Sequence, residues 1–416
     1  MVLLTLFSAG AGAQTQREPV TLRFWNGWGG ARIPLMEKMI ADFEALYPWI
    51  KVENEVIGLG IDRIEKLLLA VAAGSPPDVA MVDRVDIPNF VRKDVLVPLD
   101  DFIRADGLDL SIFYESEIGS AQYEGRTWGL PIPTAGAKQL LFYNIDLVLQ
   151  AGMSENDIPK NWAELEAAAR RLTRFNADGT LEVLGFDPTI VPDAGWDYWL
   201  ISNRGRIISE DARTLYLQTS DAADTLEWLK SFVDSVAGGY QNVKAFTASF
   251  ARGVRGLSLE GSWRWYEIKA YDPNLNMGIS LPPAGPKGEP VNLVDRGWSY
   301  AIPKGAKHPY ESWLLIQYMT THPDAACWFM HQQGRPSPVR TCNQDPALFE
   351  NNPYMNVIGE ALVRGYQIPI SPIHSQLFDS IRQILPSVLE GAPIQGLLAD
   401  TERRLQLELD QAWASQ

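Results

Sequence analysis

The sequence predicts an α/β protein of two lobes that are joined by extended crossings. Strand-like and helix-like segments alternate from Thr21 to Asp83, which is typical of a parallel sheet covered by helices. A proline-stiffened segment, Gly129–Pro133, then interrupts this pattern before a second alternating unit begins. The chain has 416 residues, and a common domain size of about 150 residues therefore suggests two or three domains.

The first unit reads as strand, helix, strand, helix, strand. Its elements are a strand at 21–24, a helix at 35–46, a strand at 50–56, a helix at 61–71 and a strand at 78–82. Apolar residues recur at helical spacing in both helices, and Pro48 and the pair Pro76-Pro77 follow them. The first strand ends in the turn TLRFWNGWGG and the third ends at Asp83, so tryptophans and a carboxylate are expected at strand ends.

The second unit mixes strands and helices over a longer stretch. Its elements are a strand at 140–143, helices at 161–173 and 226–233, a strand at 256–259, and helices at 310–321 and 395–413. Asn161 and Glu164 have the spacing of a capping box at the start of the first of these helices. Two α/β units fit this order better than one continuous sheet.

The charge balance disfavours some classes of partner. Acidic residues outnumber basic ones by 51 to 36, which gives a formal net charge of −15. Such a charge repels phosphate backbones and anionic lipids, so nucleic acid and membrane surfaces are not expected as partners.

Residues 1–13 are expected to form a secretory signal peptide. The apolar run Val2–Phe7 precedes the small-residue motif Ala11-Gly12-Ala13, after which cleavage is expected. The usual basic residues before the apolar run are missing, so an upstream start is an alternative. No cysteine follows the cleavage site, and no later apolar run reaches the ~20 residues of a spanning helix. We therefore expect an exported protein in the periplasm or at the extracellular face, without a lipid anchor.

Cys327 and Cys342 are the only cysteines, and they are 15 residues apart. In an oxidising compartment they could pair. The alternative is that Cys327 is simply a buried apolar residue of a helix. Both interpretations stay open at this point.

Tryptophans next to glycines mark the ends of several predicted strands. In open α/β sheets, ligands bind outside the carboxyl ends of the strands. Trp28, Trp263 and Trp298 have this position, and a broad aromatic face suits the C–H surface of a sugar. Trp25 directly follows the first predicted strand, and core packing is the alternative to ligand contact there. Trp196 belongs to a second aromatic and acidic cluster in PDAGWDYW.

Asp83 is the clearest candidate for a hydrogen-bond acceptor. A carboxylate at a strand end can accept two charge-assisted hydrogen bonds from sugar hydroxyls. The alternative is a helix N-cap for the segment that comes after it. Glu260 and Arg296 flank the two Gly/Trp sites, either as ligand contacts or as members of salt bridges.

Known catalytic and metal-binding motifs match this chain poorly. The four histidines form no H-x-x-x-H or H-x-H pair, and neither a dinucleotide loop nor a P-loop is present. Gly297–Ala301 lacks the last glycine of a nucleophile elbow, and strand and turn come after it instead of a helix. We expect no metal, no cofactor and no catalytic residues. A pair of carboxylates for glycoside cleavage stays open, because their separation is spatial.

Several segments together resemble the extracellular solute-binding proteins of family 1, the sugar-binding components of ABC importers. The segments are PPDVAMVD, LFYNIDLVLQAG with IPKNWAELEAAARRLT, LEGSWRW, and RGWSYAIPKGAKHPYESWLLIQYMTT. They resemble the family's P-D-V strand, its passage into the second lobe, its G-x-W segment and its G-G-W-x-x-A-I-P crossing. The resemblance extends from Thr21 to the C-terminus.

The resemblance implies a two-lobed periplasmic-binding-protein type II fold. Lobe 1 would comprise residues 17–132 plus about 302–335, and lobe 2 residues 133–300 plus about 336–416. Hinge crossings would lie near Pro131–Ala135, Val294–Ala301 and Gly334–Thr341. The implied function is to capture a mono- or oligosaccharide between the lobes and deliver it to an ABC importer permease, as a monomer without a catalytic step.

The resemblance also suggests roles for single residues. Asp83 matches a sugar-hydroxyl acceptor, Trp263 and Trp298 match stacking residues, and Gly297 matches a backbone contact. Trp25, Asn26 and Thr134 lie where the family often lines its cleft. The full set of expected ligand-binding residues is Trp25, Asn26, Trp28, Asp83, Thr134, Trp196, Trp263, Arg296, Gly297 and Trp298.

Two positions depart from the family pattern and leave the ligand open. Arg296 stands where the family often has a glycine, and Ile368 stands where trehalose- and maltose-binding members have an arginine. One alternative is a binder of glycerol phosphates or another anionic polyol, which would depend on Arg296. The other is a secreted carbohydrate-active enzyme.

Overall fold

The structure is a computed structural model that describes residues 17–58, 62–132, 137–192, 194–293 and 297–414. Its first part contains β1 (Val20–Asn26), α1 (Ile33–Leu46), β2 (Ile50–Val56), α2 (Asp62–Ala72), β3 (Val79–Asp83), α3 (Ile87–Arg92), β4 (Leu96–Val97), α4 (Asp100–Asp106), α5 (Glu115–Gly119), β5 (Gln122–Tyr123), β6 (Arg126–Thr127) and β7 (Leu130–Pro131). These elements build the first lobe.

The middle of the chain builds most of the second lobe. It contains β8 (Leu140–Asn144), α6 (Ile145–Gln150), α7 (Trp162–Leu172), β9 (Arg174–Phe175), β10 (Leu181–Val183), α8 (Trp196–Ser202), α9 (Ser220–Ala237), α10 (Tyr240–Ala245), β11 (Leu257–Glu260), α11 (Arg264–Tyr271), β12 (Met277–Ser280) and β13 (Asn292–Leu293). As the capping-box spacing predicted, the Asn161 side chain accepts a hydrogen bond from the Glu164 amide at 3.0 Å and caps α7.

The rest of the chain contributes elements first to the first lobe and then to the second. β14 (Trp298–Pro303), α12 (Pro309–Thr321) and α13 (Trp328–Gln333) belong to the first lobe. The remaining elements are α14 (Ala347–Asn351), α15 (Met355–Val363), β15 (Gly365–Tyr366), α16 (His374–Arg382), α17 (Ile384–Leu389) and α18 (Ile394–Ala414). α15 to α18 pack on the second lobe.

The first sheet has six strands within the described residues, in the order β2-β1-β3-β14-β4 with β7 paired to β14. β1 runs parallel to β2 and β3, as the alternation predicted, whereas β14 runs antiparallel to β3. Neighbouring side chains of a strand point to opposite faces. Phe24 therefore packs in the core beneath α1 and α12, and Trp25 packs in the core beneath α2 and α3.

The second sheet is built around β8, with β11 and β12 antiparallel on either side of it. One face carries the largest apolar core, which α7, α9 and the C-terminal helices cover. The other face packs against α11 and α15. Each lobe thus buries both faces of its own sheet under helices, which is the layered arrangement that an α/β lobe needs.

Two segments at the predicted borders of the lobes pack with the first lobe. The whole of β14 lies in the first sheet, starting at Trp298, whereas the sequence assigned residues up to 300 to lobe 2. The reason is a pairing that no local pattern indicates, since Ser299 lies opposite Val82. Val339 also packs in the first core, beyond the expected end of lobe 1 at residue 335. Residues 133–136 and 294–296 of the predicted hinges lie outside the described residues.

A disulfide joins Cys327 to Cys342 across 15 residues of sequence. Cys342 is buried in the first core, and Cys327 packs against it. The bond fastens the segment before α13 to the segment that leads into lobe 2. Throughout the described ranges, every helix is too short or too polar to cross a bilayer.

Candidate ligand-binding cleft

Asn26 organises the turn after β1. Its side-chain oxygen accepts a hydrogen bond from the Trp28 amide at 2.6 Å, and its Nδ2 donates to Asn54 Oδ1 at 2.9 Å. Asn26 is fully buried, and so is its bond to the Trp28 amide, whereas the bond to Asn54 is partly exposed. Asn26 therefore fixes the backbone that presents Trp28, and its own side chain is engaged in this role.

Asp83 and Trp298 lie side by side, because they are paired across β3 and β14. Asp83 Oδ1 accepts a hydrogen bond from the Val85 amide at 3.3 Å and caps the short helix after it. The N-cap role that was the alternative for Asp83 is therefore present in the structure. It uses one carboxylate oxygen and leaves Oδ2 without a hydrogen bond to any described residue.

Gly297 permits a close approach between this edge and a buried ion pair. Its φ angle is +150°, and a Cβ atom added to it would lie 2.2 Å from Arg84 Nη2. Arg84 is 2% exposed, and its Nη2 donates to Glu117 Oε2 at 2.7 Å. The Gly297 carbonyl also accepts a hydrogen bond from the Arg84 amide at 2.8 Å. Glycine is thus required here by contacts inside the first lobe.

Arg63 of α2 covers the Trp298 ring. Its Cζ lies 4.2 Å from the ring centroid, and its Nη2 lies 3.7 Å from Asp86 Oδ2. Burial lowers the pKa of Arg63, and the charges of Asp83 and Asp86 oppose that shift. Two acids, one arginine and one tryptophan of the first lobe therefore meet at the end of β3.

A polar network joins the two lobes at α11. Arg32 of the first lobe donates from Nη2 to Glu267 Oε1 of the second lobe at 3.0 Å, and from Nε to Gln333 Oε1 at 3.0 Å. Its Cζ lies 5.0 Å from the Trp28 ring centroid. Arg264 binds the other Glu267 oxygen at 2.8 Å. Burial opposes ionisation of Glu267, but these two arginines outweigh it and lower the pKa of this carboxyl.

Trp263 stands at the start of α11, on the second-lobe side of this network. Its ring lies over Gly261, where an added Cβ would come within 2.1 Å of Cζ3. Glu260, just before it, accepts hydrogen bonds from Ser258 Oγ at 2.9 Å and Arg264 Nε at 3.1 Å. Burial raises the pKa of Glu260 despite these partners. The half-buried ring thus lies among polar groups of the second lobe at the start of α11.

Arg335 comes directly after Gly334, inside the third predicted hinge crossing, and lies near Trp263. Its Cζ is 5.7 Å from the Trp263 ring centroid, and the residue is 4% exposed. Burial, and after it the charge of Arg32, lower the pKa of Arg335 to about 9. We refer to Trp28, Arg32, Trp263, Glu267 and Arg335 as the interlobe cluster.

Three predicted ligand-binding tryptophans are largely enclosed in core. Trp28 is 6% exposed and packs in the first core. Trp25 is 4% exposed and packs beneath α2, with Lys66 Nζ 4.3 Å from its ring centroid. Trp196 is completely buried in the second lobe, and its Nε1 donates to the Ile381 carbonyl at 2.9 Å. Thr134 and Arg296 lie outside the described residues.

A groove of about 620 Å³ runs along the boundary between the lobes, away from the interlobe cluster. Asn89 and Arg92 of α3 line one side, and Gln376 and Asp379 of α16 line the other. Arg92 Nη1 donates to the Pro372 carbonyl at 3.0 Å and ties the two sides together. This groove begins near Val85, two residues beyond Asp83.

The sequence had pointed to the tryptophans but not to the arginines between them. Arg32 lies two residues beyond the predicted turn, and Arg335 falls inside a predicted hinge crossing. A search for charged residues next to these segments could have found both. Arg63 and Glu267 had no such signal, because only the folded chain brings α2 to β14 and α11 to the first lobe.

The arrangement offers aromatic faces, cationic donors and carboxylate acceptors at the boundary between two lobes. Such a set can bind a polar ligand that also has apolar surface. Among the described residues, no group of three or more His, Cys, Asp or Glu side chains could hold a metal ion.

Comparisons with known proteins agree with this arrangement. The family described as bacterial extracellular solute-binding protein matches residues 30–326. A Brucella abortus protein named only as a binding protein is 26% identical over 298 residues, which are 69% of this chain and 68% of that protein. The arabinooligosaccharide-binding protein of Bacillus subtilis is 24% identical over 74% of this chain and 71% of its own length.

The solved structures show the fold. A structure described as CpMnBP1 with mannotriose bound has a TM-score of 0.80 and 24% identity to this chain. The alignment covers 92% of this chain and 99% of that one. The two-lobed α/β architecture expected from the sequence is therefore confirmed.

Proposed function

Because this chain belongs to the bacterial extracellular solute-binding protein family, we propose that it binds a mono- or oligosaccharide between its lobes. It then delivers the sugar to the permease subunits of an ABC importer. The names of relatives support a carbohydrate, since one binds arabinooligosaccharides and another is a maltotriose-binding protein. For this chain we propose only the ligand class that these relatives share, a carbohydrate.

The observation that carries the proposal is the interlobe cluster. It contains tryptophans from both lobes, and the Arg32–Glu267 bond crosses from one lobe to the other. A sugar presents C–H faces that stack on aromatic rings, and hydroxyl edges that hydrogen-bond to charged groups. Closure of the lobes around such a ligand would bury both kinds of surface.

Asp83 and Trp298 provide a second set of contacts in this proposal. Asp83 Oδ2 would accept from a sugar hydroxyl, while Oδ1 keeps its bond to the Val85 amide. Trp298 would stack on the sugar, held from its other side by Arg63. A micromolar site needs about 8 kcal/mol, which two stacked faces and a few charge-assisted hydrogen bonds can supply.

The site performs no catalytic step in this proposal. Members of the family are binding proteins, and ligand capture with subsequent closure needs only two states of differing affinity. A secreted carbohydrate-active enzyme would release products from an oligosaccharide. Chromatography of a bound oligosaccharide after long incubation separates the two functions, because a binding protein returns the sugar intact.

The family is extracellular, and we place the mature protein in the periplasm or at the extracellular face as a monomer. Size-exclusion chromatography with light scattering tests the oligomeric state. Cell fractionation tests the location, and the N-terminal sequence of the exported form tests cleavage after Ala13.

A calorimetric screen of mono-, di- and trisaccharides tests the proposal directly. Trp263→Ala should weaken binding of the identified sugar by about tenfold or more, because it removes a stacking face. Trp265→Ala is a matched control, because this ring comes from the same helix but packs on Tyr354 with ring centroids 5.6 Å apart. Trp265→Ala should lower thermal stability and leave affinity nearly unchanged. Equal loss of affinity in both variants would contradict the proposed site.

A further inference from the structure

Arg335 is a buried cation that no described residue pairs with. It is 4% exposed, and its side chain makes no hydrogen bond and no salt bridge within the described part of the chain. Its Nε atom is fully enclosed and has no acceptor among those residues. Buried charges are normally paired, because an unpaired one costs several kcal/mol.

The charges around Arg335 do not neutralise it. Glu267 is shared by Arg32 and Arg264, which occupy its two oxygens. Glu260 accepts from Arg264 and from Ser258. Among the described residues of this group, the three arginines Arg32, Arg264 and Arg335 stand against the two carboxylates Glu260 and Glu267, which leaves one positive charge in excess. A further acid whose charge acts on Arg335, Glu117, already pairs with Arg84.

The unpaired guanidinium lies beside the proposed sugar site. Arg335 comes directly after Gly334 at the crossing between the lobes, and its Cζ is within 5.7 Å of the Trp263 ring centroid. Arg32 raises the local positive charge further, as its effect on the pKa of Arg335 indicates. A negatively charged group beside Trp263 would relieve this excess.

We propose that the ligand is an acidic sugar, and that its carboxylate binds Arg335 beside Trp263. This inference rests on the proposed function and specifies the ligand class of the same site. Hydroxyls could satisfy the guanidinium N–H groups but would leave its charge unbalanced. A carboxylate does both, because it can accept two parallel hydrogen bonds from one guanidinium.

Calorimetry with matched ligand pairs tests this inference. The probes are disaccharides that end in glucuronic, galacturonic or mannuronic acid, each with its neutral counterpart, and the corresponding sugar phosphates. We expect one acidic disaccharide to bind about tenfold or more tightly than its neutral counterpart. Arg335→Gln should abolish that preference, because it removes the charge and the paired hydrogen bonds, and so should weaken binding of the acidic disaccharide about tenfold more than binding of its neutral counterpart.

A control variant separates charge at the site from a general effect on the crossing. Arg340 belongs to the same segment, but its Nε donates to the Phe113 carbonyl at 3.0 Å. Arg340→Gln should keep the preference for the acidic sugar. Arg335→Lys should retain part of it, because it keeps the charge and loses the paired hydrogen bonds.

The other outcomes are distinguishable. Tighter binding of neutral sugars, or equal losses for both classes in Arg335→Gln, would overturn the acidic ligand and leave the sugar-binding function standing. A preference for phosphates would overturn the carboxylate in particular. Failure of every sugar to bind would overturn the proposed function and this inference together.

Discussion

At the residue scale, Asn26 shows how one buried amide can position an aromatic side chain. Asn26→Ala removes its bonds to the Trp28 amide and to Asn54. We expect unfolding free energy to fall by about 1–3 kcal/mol, because buried polar partners are left unsatisfied. Urea denaturation measures this change. Asn54→Ala is the control, since it removes only one of the two bonds and should cost less. Equal losses of unfolding free energy in the two variants would show that the hydrogen bond to the Trp28 amide does not stabilise the fold.

Substitution of Gly297 should show how much more stability a steric clash costs than backbone strain alone. In Gly297→Ala the new Cβ would lie 2.2 Å from Arg84 Nη2 and would displace the buried Arg84–Glu117 pair. Breaking a buried ion pair costs about 3–5 kcal/mol.

Gly305→Ala provides the comparison for that variant. Gly305 also has a positive φ, of +86°, but its nearest neighbour would be 3.6 Å from the new Cβ. Strain alone costs about 1–2 kcal/mol. Thermal unfolding of both variants measures the difference, and similar losses would contradict the role assigned to the Arg84 contact.

The residue scale is also where prediction from sequence was weakest. Trp25 and Trp28 are close in sequence, but Trp25 belongs to β1, whereas Trp28 lies beyond its end in the turn that Asn26 holds. Trp25 therefore packs beneath α2, whereas Trp28 joins the core on the other face and approaches Arg32. Composition at a strand end cannot show which face a ring takes. Arg63 and Glu267 were missed because their partners are distant in sequence.

At the scale of elements, local pattern was a good guide. Helical spacing of apolar residues predicted α1, α2, α7 and α12 within about two residues. α1 and α7 each bury one face, whereas α12 is buried almost all round from Ser312 to Ile316. Pairing was harder to predict. β14 lies between β3 and β4 although β13, the strand before it in the chain, belongs to the other lobe. Such long-range contacts depend on the whole core and leave no local signal.

The disulfide allows a prediction about the crossing into lobe 2. The bond closes a segment of 15 residues, and a loop of that size corresponds to about 3 kcal/mol of stabilisation. The double variant Cys327→Ser, Cys342→Ser should lose about this much unfolding free energy. Reductant should lower the melting temperature of the native protein and leave that of the double variant unchanged. An effect of reductant on both would point to a cause other than this bond.

At the scale of the whole molecule, polar contacts between single pairs of residues hold the lobes together. The Arg32–Glu267 pair and the Arg92–Pro372 hydrogen bond each connect residues of different lobes. Both contacts can break without exposing a large apolar surface. Separate cores in each lobe and polar contacts between them favour a molecule that can open and close.

The Arg32–Glu267 pair should bias this motion toward the closed form. Glu267 is 34% exposed in its side chain, so solvent screening limits the pair to about 1 kcal/mol. A change of that size alters the ratio of closed to open forms about fivefold. Glu267→Gln should therefore increase the radius of gyration without ligand in small-angle X-ray scattering, and saturating sugar should restore the compact form. Glu360→Gln is the control, because its partner Arg364 lies within the same lobe at 2.8 Å.

Acid should act on the native protein as this substitution does. The arginines beside it lower the pKa of Glu267 below its ordinary value of 4.5. A carboxyl with a lowered pKa stabilises the state that lowers it at every pH above its ordinary value, and this contribution is lost as the pH falls through the lowered value. Scattering curves of native protein and Glu267→Gln should therefore differ at about pH 7 and pH 5, and converge well below pH 4.5. Curves that already coincide at neutral pH would mean that the pair does not control closure.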